Sequence, residues 1–294
     1  MKIGIVTVLY NSEKVLDDFF RTLDEQTFKD FILYVIDNSS SDNSLFVAES
    51  LSREVNFKTI ILPQSENWGV AKGNNIGIDA ALADGCDYIL LSNNDIVLNP
   101  DTIQNLQAGM QQTGATMAVP KIYFHDTGLI WHVGGSFSYY KGITLHRGSG
   151  QQDRGQFNKI CSIEYAPTCF MLIHSDVFTR VGKMDEKYFV YYDDSDFVWR
   201  AVKKGHERLV YIPFSSLQHK ESTCTGGNRS VFSLYYVYRN SIYFVRKNMK
   251  FPRKQLTLLY SALHTMIRKP FYYDKKQMQL IKKALRDGKN IQIE

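Results

Sequence analysis

Two carboxylate motifs stand out as groups able to do chemistry. Asn93-Asn94-Asp95 closes the apolar run Tyr88 to Leu91. A carboxylate there can bind Mg²⁺ or Mn²⁺, hard cations that prefer oxygen ligands and diphosphates. Asn and Asp also end strands for turn reasons alone, so this motif by itself divides between the two readings. Asp193-Asp194-Ser195-Asp196 is the second motif, and Phe197, Val198, Ala201 and Val202 place a helix directly after it. A helix N-cap needs one Asp; three within four positions exceed that need. Like charges raise each other's pKa and a helix N-terminus partly offsets the rise, which suits a proton acceptor. Gln218-His219-Lys220 follows the last apolar run. His219 could bring a ring nitrogen to the same metal, although a lone His is more often a surface or core residue. A cation to hold a departing diphosphate and a base to deprotonate an attacking hydroxyl together make a displacement chemistry.

The segment from Asn67 to Asn75, Asn67-Trp68-Gly69-Val70-Ala71-Lys72-Gly73-Asn74-Asn75, has glycines that would let the backbone approach a nucleotide closely. It matches neither G-x-G-x-x-G nor G-x-x-x-x-G-K-[ST], which weakens dinucleotide-oxidoreductase and ATPase readings.

The elements that must position these residues alternate. Ile3 to Leu9, Phe31 to Ile36, Thr59 to Leu62 and Tyr88 to Leu91 read as buried strands. Helical patterns fall between them: one capped by Ser12 with Val15, Leu16, Phe19, Phe20 and Leu23 on one face, one over Leu45 to Leu51, and one emerging from the loop at Gly69. Four strands with crossover helices predict a doubly wound parallel sheet, with ligands at the carboxyl ends where Asp37 and Asp95 stand. Gly, Tyr and Ser between Gly134 and Gly155 suggest hairpins or a mobile loop. Cys169 to Ile173 reads as a strand, Ser175 to Val181 as a short helix, Phe189 to Tyr192 as an aromatic strand end, and Leu209 to Ile212 as the final strand.

The chain has 294 residues, 44% of them apolar and 22% charged, which is too hydrophobic for a disordered chain. Its net charge of +5 hides an asymmetry: residues 246–294 hold thirteen Lys or Arg against three acids, so this segment is +10 and the remainder −5. A basic tail suits a membrane surface, a pyrophosphate-linked acceptor or nucleic acid, and equally a solvated helical surface. Cys86, Cys161, Cys169 and Cys224 form no C-x-x-C pair, which fits reduced thiols and a cytosolic setting. The first strand does not read as a signal peptide, and no stretch approaches the roughly 18 apolar residues of a spanning helix.

In this order the motifs resemble glycosyltransferase family 2, particularly the bacterial branch with rhamnosyltransferases. The resemblance covers roughly residues 1–250 and rests on Val6-Thr7-Val8-Leu9-Tyr10-Asn11, Val35-Ile36-Asp37-Asn38-Ser39, the Asn67 to Gly77 segment, Asn93-Asn94-Asp95, Tyr192-Asp193-Asp194-x-Asp196, His219 and Tyr236-x-x-Arg239-Asn240. It implies an α/β GT-A fold: a nucleotide-binding half over 1–115, an acceptor half over 116–245 and a basic helical extension over 246–294. It implies an inverting displacement from a dTDP- or UDP-sugar to a glycan or lipid-linked acceptor in surface polysaccharide synthesis, with no nucleic-acid partner. Carried over residue by residue, Thr7, Tyr10, Asp37, Asn67, Asn74 and Asn94 hold the nucleotide sugar, and Arg239 lies near the phosphates or acceptor. Asp95 and His219 hold Mg²⁺ or Mn²⁺. Asp194 is the general base beside Asp193, with Asp196 its competitor. The metal motif is Asn-Asn-Asp where the family has Asp-x-Asp, one carboxylate fewer. The implied location is cytoplasmic, with possible peripheral contact at the inner face of the membrane. A sugar-1-phosphate nucleotidyltransferase would need a Gly-rich, basic phosphate loop after the first strand, where Tyr10-Asn11-Ser12 stands. A non-catalytic glycan- or nucleotide-binding module would not need the acidic pair.

Overall fold

The computed structural model describes residues 1–220, 230–267 and 269–293. Cys224 lies outside them; Cys86, Cys161 and Cys169 are free thiols.

The strands are β1 (Ile3–Leu9), β2 (Phe31–Asp37), β3 (Lys58–Pro63), β4 (Tyr88–Ser92), β5 (Ile96–Leu98), β6 (Met117–Phe124), β7 (Ile130–His132), β8 (Gly135–Ser138), β9 (Ile143–His146), β10 (Cys161–Ser162), β11 (Phe170–His174) and β12 (Leu209–His219). The α-helices are α1 (Leu16–Asp24), α2 (Ser44–Leu51), α3 (Gly69–Ala83), α4 (Thr102–Thr113), α5 (Asp176–Val181), α6 (Asp193–Trp199), α7 (Val231–Asn248), α8 (Arg253–Ile267) and α9 (Lys275–Asn290).

The four expected strands lie side by side and parallel in the order β3-β2-β1-β4. Beyond β4 the expected all-parallel sheet becomes mixed. β11 inserts antiparallel between β4 and β6, and β12 runs parallel to β6. A buried parallel strand needs apolar residues on both faces, and β1 supplies them alternately. Ile3, Ile5 and Leu9 join the core under α1, α2 and α4, while Val6 and Val8 join the core under α3, α5, α6 and α7.

Three local expectations change. A 3₁₀ turn, Glu13–Val15, precedes α1, and Ser12 makes no side-chain cap there; its amide donates to Ser44 Oγ at 2.7 Å. α3 begins at Gly69 itself, and its glycines allow close packing, while Gly69 and Val70 also line the cleft. A Cβ on Gly77 would stand 2.4 Å from Val6 Cγ1 and 2.6 Å from Ile36 Cδ1, so the helix could not lie this close to β1 and β2 with any larger residue. Gly69, at φ +79°, makes room for the Phe189 carbonyl, 2.5 Å from where its Cβ would be. Finally, the last strand runs on to His219, past a register irregularity between Ile212 and Ser216.

α7 runs across residue 245, and α9 packs on it, with Gly288 seated against the Arg239 backbone. Among the described residues no helix is long and apolar enough to cross a membrane.

Candidate functional site

The carboxyl end of β4 is where the first two chemical groups meet. β5 pairs antiparallel with β12 in a register that sets His219 opposite Ile96, and the Lys220 amide donates to the Asp95 carbonyl at 2.8 Å. Asp95 and His219, far apart in sequence, are thereby made neighbours: Oδ1 and Nε2 stand 3.3 Å apart. Burial works against the Asp95 carboxylate, but the His219 ring and the Asn93 amide outweigh it and hold its pKa below the usual value. Asp95 Oδ1 and His219 Nδ1 are buried with no hydrogen-bond partner. A buried carboxylate oxygen without a donor is costly unless a ligand completes it. Trp131 stacks on the His219 ring, centroids 4.8 Å apart, and fixes its plane. Asn94 anchors the loop by donating to the Val8 carbonyl at 2.8 Å.

The second motif opens α6. The preceding segment is no strand: Phe189, Tyr191 and Tyr192 all have φ between 60° and 67°, a left-handed conformation unfavourable for bulky side chains. The buried Asn240 amide clamps this turn, donating to the carbonyls of Tyr188, Val190 and Tyr191 at 2.9, 2.7 and 2.9 Å. The Val70 amide at the start of α3 donates to the Phe189 carbonyl at 2.6 Å. Such strain persists where the surroundings over-determine it. Here it turns Asp193 and Asp194 into the same cleft that Asp95 and His219 line, a cavity of about 750 Å³.

The three acids of this motif have different surroundings. Asp194 Oδ2 accepts from the Tyr165 hydroxyl at 2.5 Å, and Oδ1 accepts from the Ser195 amide at 2.6 Å. Burial and the Asp194 charge push the Tyr165 phenol well above its ordinary pKa, so it stays protonated and donates. Asp193 is buried, and burial together with the Asp194 charge raises its pKa. Asp196, fully buried, is spent on structure: it accepts from Arg200 Nε at 2.8 Å, Lys247 Nζ at 3.0 Å and Asn248 Nδ2 at 2.6 Å, and it does not line the cleft. The Cys169 thiol connects the two motifs. Burial raises its pKa first, and the charges of Asp95 and Asp194 both add to the rise.

The Asp193 shift has a measurable consequence. A carboxyl whose folded pKa is raised is neutral in the native state at pH values where the unfolded chain has ionised, so stability falls as pH climbs above the ordinary carboxylate range. Asp193→Asn removes that slope. Its melting temperature should match the wild type near pH 4 and exceed it near pH 8, the two ends of the window between the unfolded value of 3.8 and the folded value raised to about 8; parallel melting curves for the two proteins across that window would exclude the shift.

The nucleotide-side residues distribute unevenly. Tyr10, Asn67, Asn74 and Asn94 line the cleft. Asn67 Oδ1 accepts from the Gly69 amide at 2.9 Å, and Asn74 Nδ2 lies 3.6 Å from Met184 Sδ. Thr7 and Asp37 do not line it. They lie buried on adjacent strands, on the face packed against α1 and α2, and Thr7 Oγ1 and Asp37 Oδ1 have no partner. Arg239 is directed elsewhere: its guanidinium donates to the Lys187 carbonyl and lies 5.3 Å from the Tyr236 ring centroid, outside the cleft lining. Sequence reading assigned no role to Tyr165, Asn240 or Asn38. Asn38 lines the cleft and donates to the Gly69 carbonyl at 2.9 Å. Asn38 and Asn240 stood inside quoted motifs; Tyr165 carried no local signal.

Comparison with known proteins identifies the family and the fold. Residues 4–182 match Glycosyl transferase family 2. The chain is 23% identical over 269 residues to the low-salt glycan biosynthesis hexosyltransferase Agl10 of Haloferax volcanii, covering 90% of this chain and 81% of that one. It is 27% identical over 257 residues to the dTDP-rhamnosyl transferase RfbF of Shigella flexneri, covering 83% and 79%. The crystal structure of GalNAc-T7 with UDP, GalNAc and Mn²⁺ superposes with a TM-score of 0.68 at 13% identity, over 97% of this chain and 54% of that one. At that identity the likeness speaks for the fold, which is GT-A. With the match spanning more than half its length, the chain belongs to glycosyl transferase family 2 and is a glycosyltransferase.

Proposed function

We propose that the cleft takes a dTDP- or UDP-linked hexose and transfers the sugar, with inversion, to a hydroxyl of a glycan or lipid-linked acceptor in bacterial surface polysaccharide synthesis. The observation that carries this reading is the convergence of Asp95 with His219, and of Asp194, on one cavity of about 750 Å³, within the range of pockets that bury small ligands. That RfbF is a dTDP-rhamnosyl transferase supports the choice of donor class.

The acceptor hydroxyl approaches the anomeric carbon on the face opposite the diphosphate. Asp194 takes its proton as the new glycosidic bond forms, and the bond to the diphosphate breaks with both electrons leaving on oxygen. Tyr165 and the Ser195 amide hold both carboxylate oxygens of Asp194 in place, so the base does not have to search for its orientation. The residues fit a divalent cation: Asp95 Oδ1 is buried and unsatisfied with His219 beside it. Among the described residues no group of three His, Cys, Asp or Glu is placed to hold an ion, so further ligands would be donor phosphate and water oxygens, a set Mg²⁺ and Mn²⁺ accept. When bound, the cation neutralises charge on the leaving diphosphate. Tyr10, Asn67 and Asn74, which line the cleft beside the start of α3, suit the nucleoside.

A donor screen tests the whole reading. With Mn²⁺ present, one of the UDP-, dTDP- or GDP-sugars should raise the melting temperature, because a ligand at about 100 times its Kd adds about 2.7 kcal/mol to the native state. Product analysis should then show free nucleoside diphosphate and an extended acceptor. Formation of a sugar nucleotide from a nucleoside triphosphate and a sugar 1-phosphate would replace this reading with nucleotidyl transfer.

A further inference from the structure

We propose that α8 is a membrane-docking element that lays its outer face on an anionic lipid bilayer. Its amphipathy is reversed relative to a helix packed on a core. Thr257 and Thr265 are the buried positions, and Thr257 Oγ1 donates to the Tyr139 carbonyl at 2.5 Å. The opposite side shows Leu256, Leu259, Leu263, Met266 and Ile267, with 50%, 57%, 47%, 73% and 62% of their surface exposed. These positions follow the spacing of a single helical stripe, so the chain holds a continuous apolar face in water. Contiguous exposed apolar surface marks an interaction site. Phe251 and Phe271, just beyond the two ends of α8, are also exposed, at 79% and 83%; aromatic side chains favour the membrane–water boundary.

Charge selects the occupant. Residues 246–294 carry +10. Exposed Lys250 and Arg253 stand at one end of the stripe, and exposed Lys275 and Lys276 follow the other. α9 buries Ile281, Ala284 and Gly288 and leaves Lys282, Lys283, Arg286 and Lys289 exposed. A second copy of the chain on this face would bring two strongly basic segments together, whereas an anionic bilayer complements both the stripe and the cations around it. A 15-residue helix with this pattern lies in the interface and does not span it. The hairpin β8–β9 leans on α8 at Thr257 and delivers Ile143 and Thr144 to the cleft, so docking would hold the cleft close to the lipid surface. The inference stands on the apolar stripe of α8 and the cations around it and does not depend on the transfer chemistry.

The test is flotation of the full chain with vesicles of pure phosphatidylcholine and of equal parts phosphatidylglycerol and phosphatidylcholine, at low and high salt. The wild type should float with the anionic vesicles, less so at high salt and little with phosphatidylcholine. Leu259→Glu combined with Leu263→Glu should lower that partition by at least about tenfold while keeping the wild-type melting temperature, since both side chains already face solvent. Lys275→Glu with Lys276→Glu, which leaves the stripe intact, should weaken anionic binding in the same direction. Equal flotation on both lipids, or unchanged flotation of the leucine variant, would overturn the proposal. So would a wild-type dimer that the leucine variant converts to monomer without any lipid binding, which would assign the stripe to a second copy.

Discussion

Asp194→Asn should lower kcat by about 10²–10⁴-fold, the range a positioned general base contributes, while binding of the nucleotide donor stays as in the wild type. The separation follows from where the residue sits. Asp194 opens α6, an element apart from those that carry the Asp95–His219 pair, and its two carboxylate oxygens are already engaged by the Tyr165 hydroxyl and the Ser195 amide. Asn keeps the shape and accepts through its one carbonyl oxygen from the Ser195 amide, while its NH₂ replaces the oxygen that faced Tyr165, whose hydroxyl can turn to accept from it. The variant should fold, with a melting temperature close to or modestly below that of the wild type. What it loses is the capacity to accept a proton. Asp193→Asn is the internal control: that carboxyl is buried, its pKa is raised by burial and by the Asp194 charge, and its loss should cost far less turnover. Single-turnover rates and calorimetric donor titrations on both variants make the comparison. A wild-type rate for Asp194→Asn, or an equal loss in both variants, would take the base role away from Asp194.

The parts of this site that are legible in the sequence are those encoded locally. Parallel strands buried on both faces read as unbroken apolar runs, and β1, β2, β3 and β4 stand within two residues of the expected bounds. A carboxylate at a strand end and three acids opening a helix are likewise local patterns, and both motifs line one cleft. What sequence could not show depends on pairings between distant segments. Insertion of β11 between β4 and β6 makes the sheet mixed, and an apolar run carries no mark of its direction. The turn at Phe189 to Tyr192 looks like a strand because aromatic residues favour strands; the Asn240 clamp from α7, some fifty positions away, holds it in a left-handed conformation. Tyr165 shows only as one more tyrosine until the fold sets its hydroxyl against Asp194. The glycines of α3 illustrate an ambiguity of a different kind, since a missing Cβ admits a ligand or a neighbouring strand equally well, and here Val6, Ile36 and Phe189 occupy the space.

The same division between local motif and distant partner sets up the expected behaviour of Asp95. Asp95→Asn should abolish the metal dependence of donor binding and lower turnover by at least about 10²-fold, because the charge that draws a cation to this end of β4 is a single carboxylate and charge stabilisation by a bound metal is worth several kcal/mol. An Asp-x-Asp motif would leave a second carboxylate in reserve; Asn93-Asn94-Asp95 leaves the neutral amides of Asn93, 3.4 Å from the His219 ring, and of Asn94, already donating to Val8. His219 alone would be a poor substitute, since hard cations prefer oxygen. The structure also separates this role from a structural one. Against the penalty of burial, the His219 ring and the Asn93 amide hold the Asp95 pKa below its ordinary value, so the folded protein favours the carboxylate by a modest amount that does not depend on metal. Without metal, Asp95→Asn should therefore melt at or modestly below the wild-type temperature at neutral pH. With Mn²⁺ and a nucleoside diphosphate, the wild type should gain melting temperature and the variant should not. EDTA should reduce the wild type to the behaviour of the variant, while a nucleoside monophosphate, which lacks the diphosphate, should bind both proteins alike. A manganese-dependent gain that survives in Asp95→Asn, or transfer that proceeds undiminished in EDTA, would move the cation away from Asp95 and leave its unsatisfied oxygen without a function.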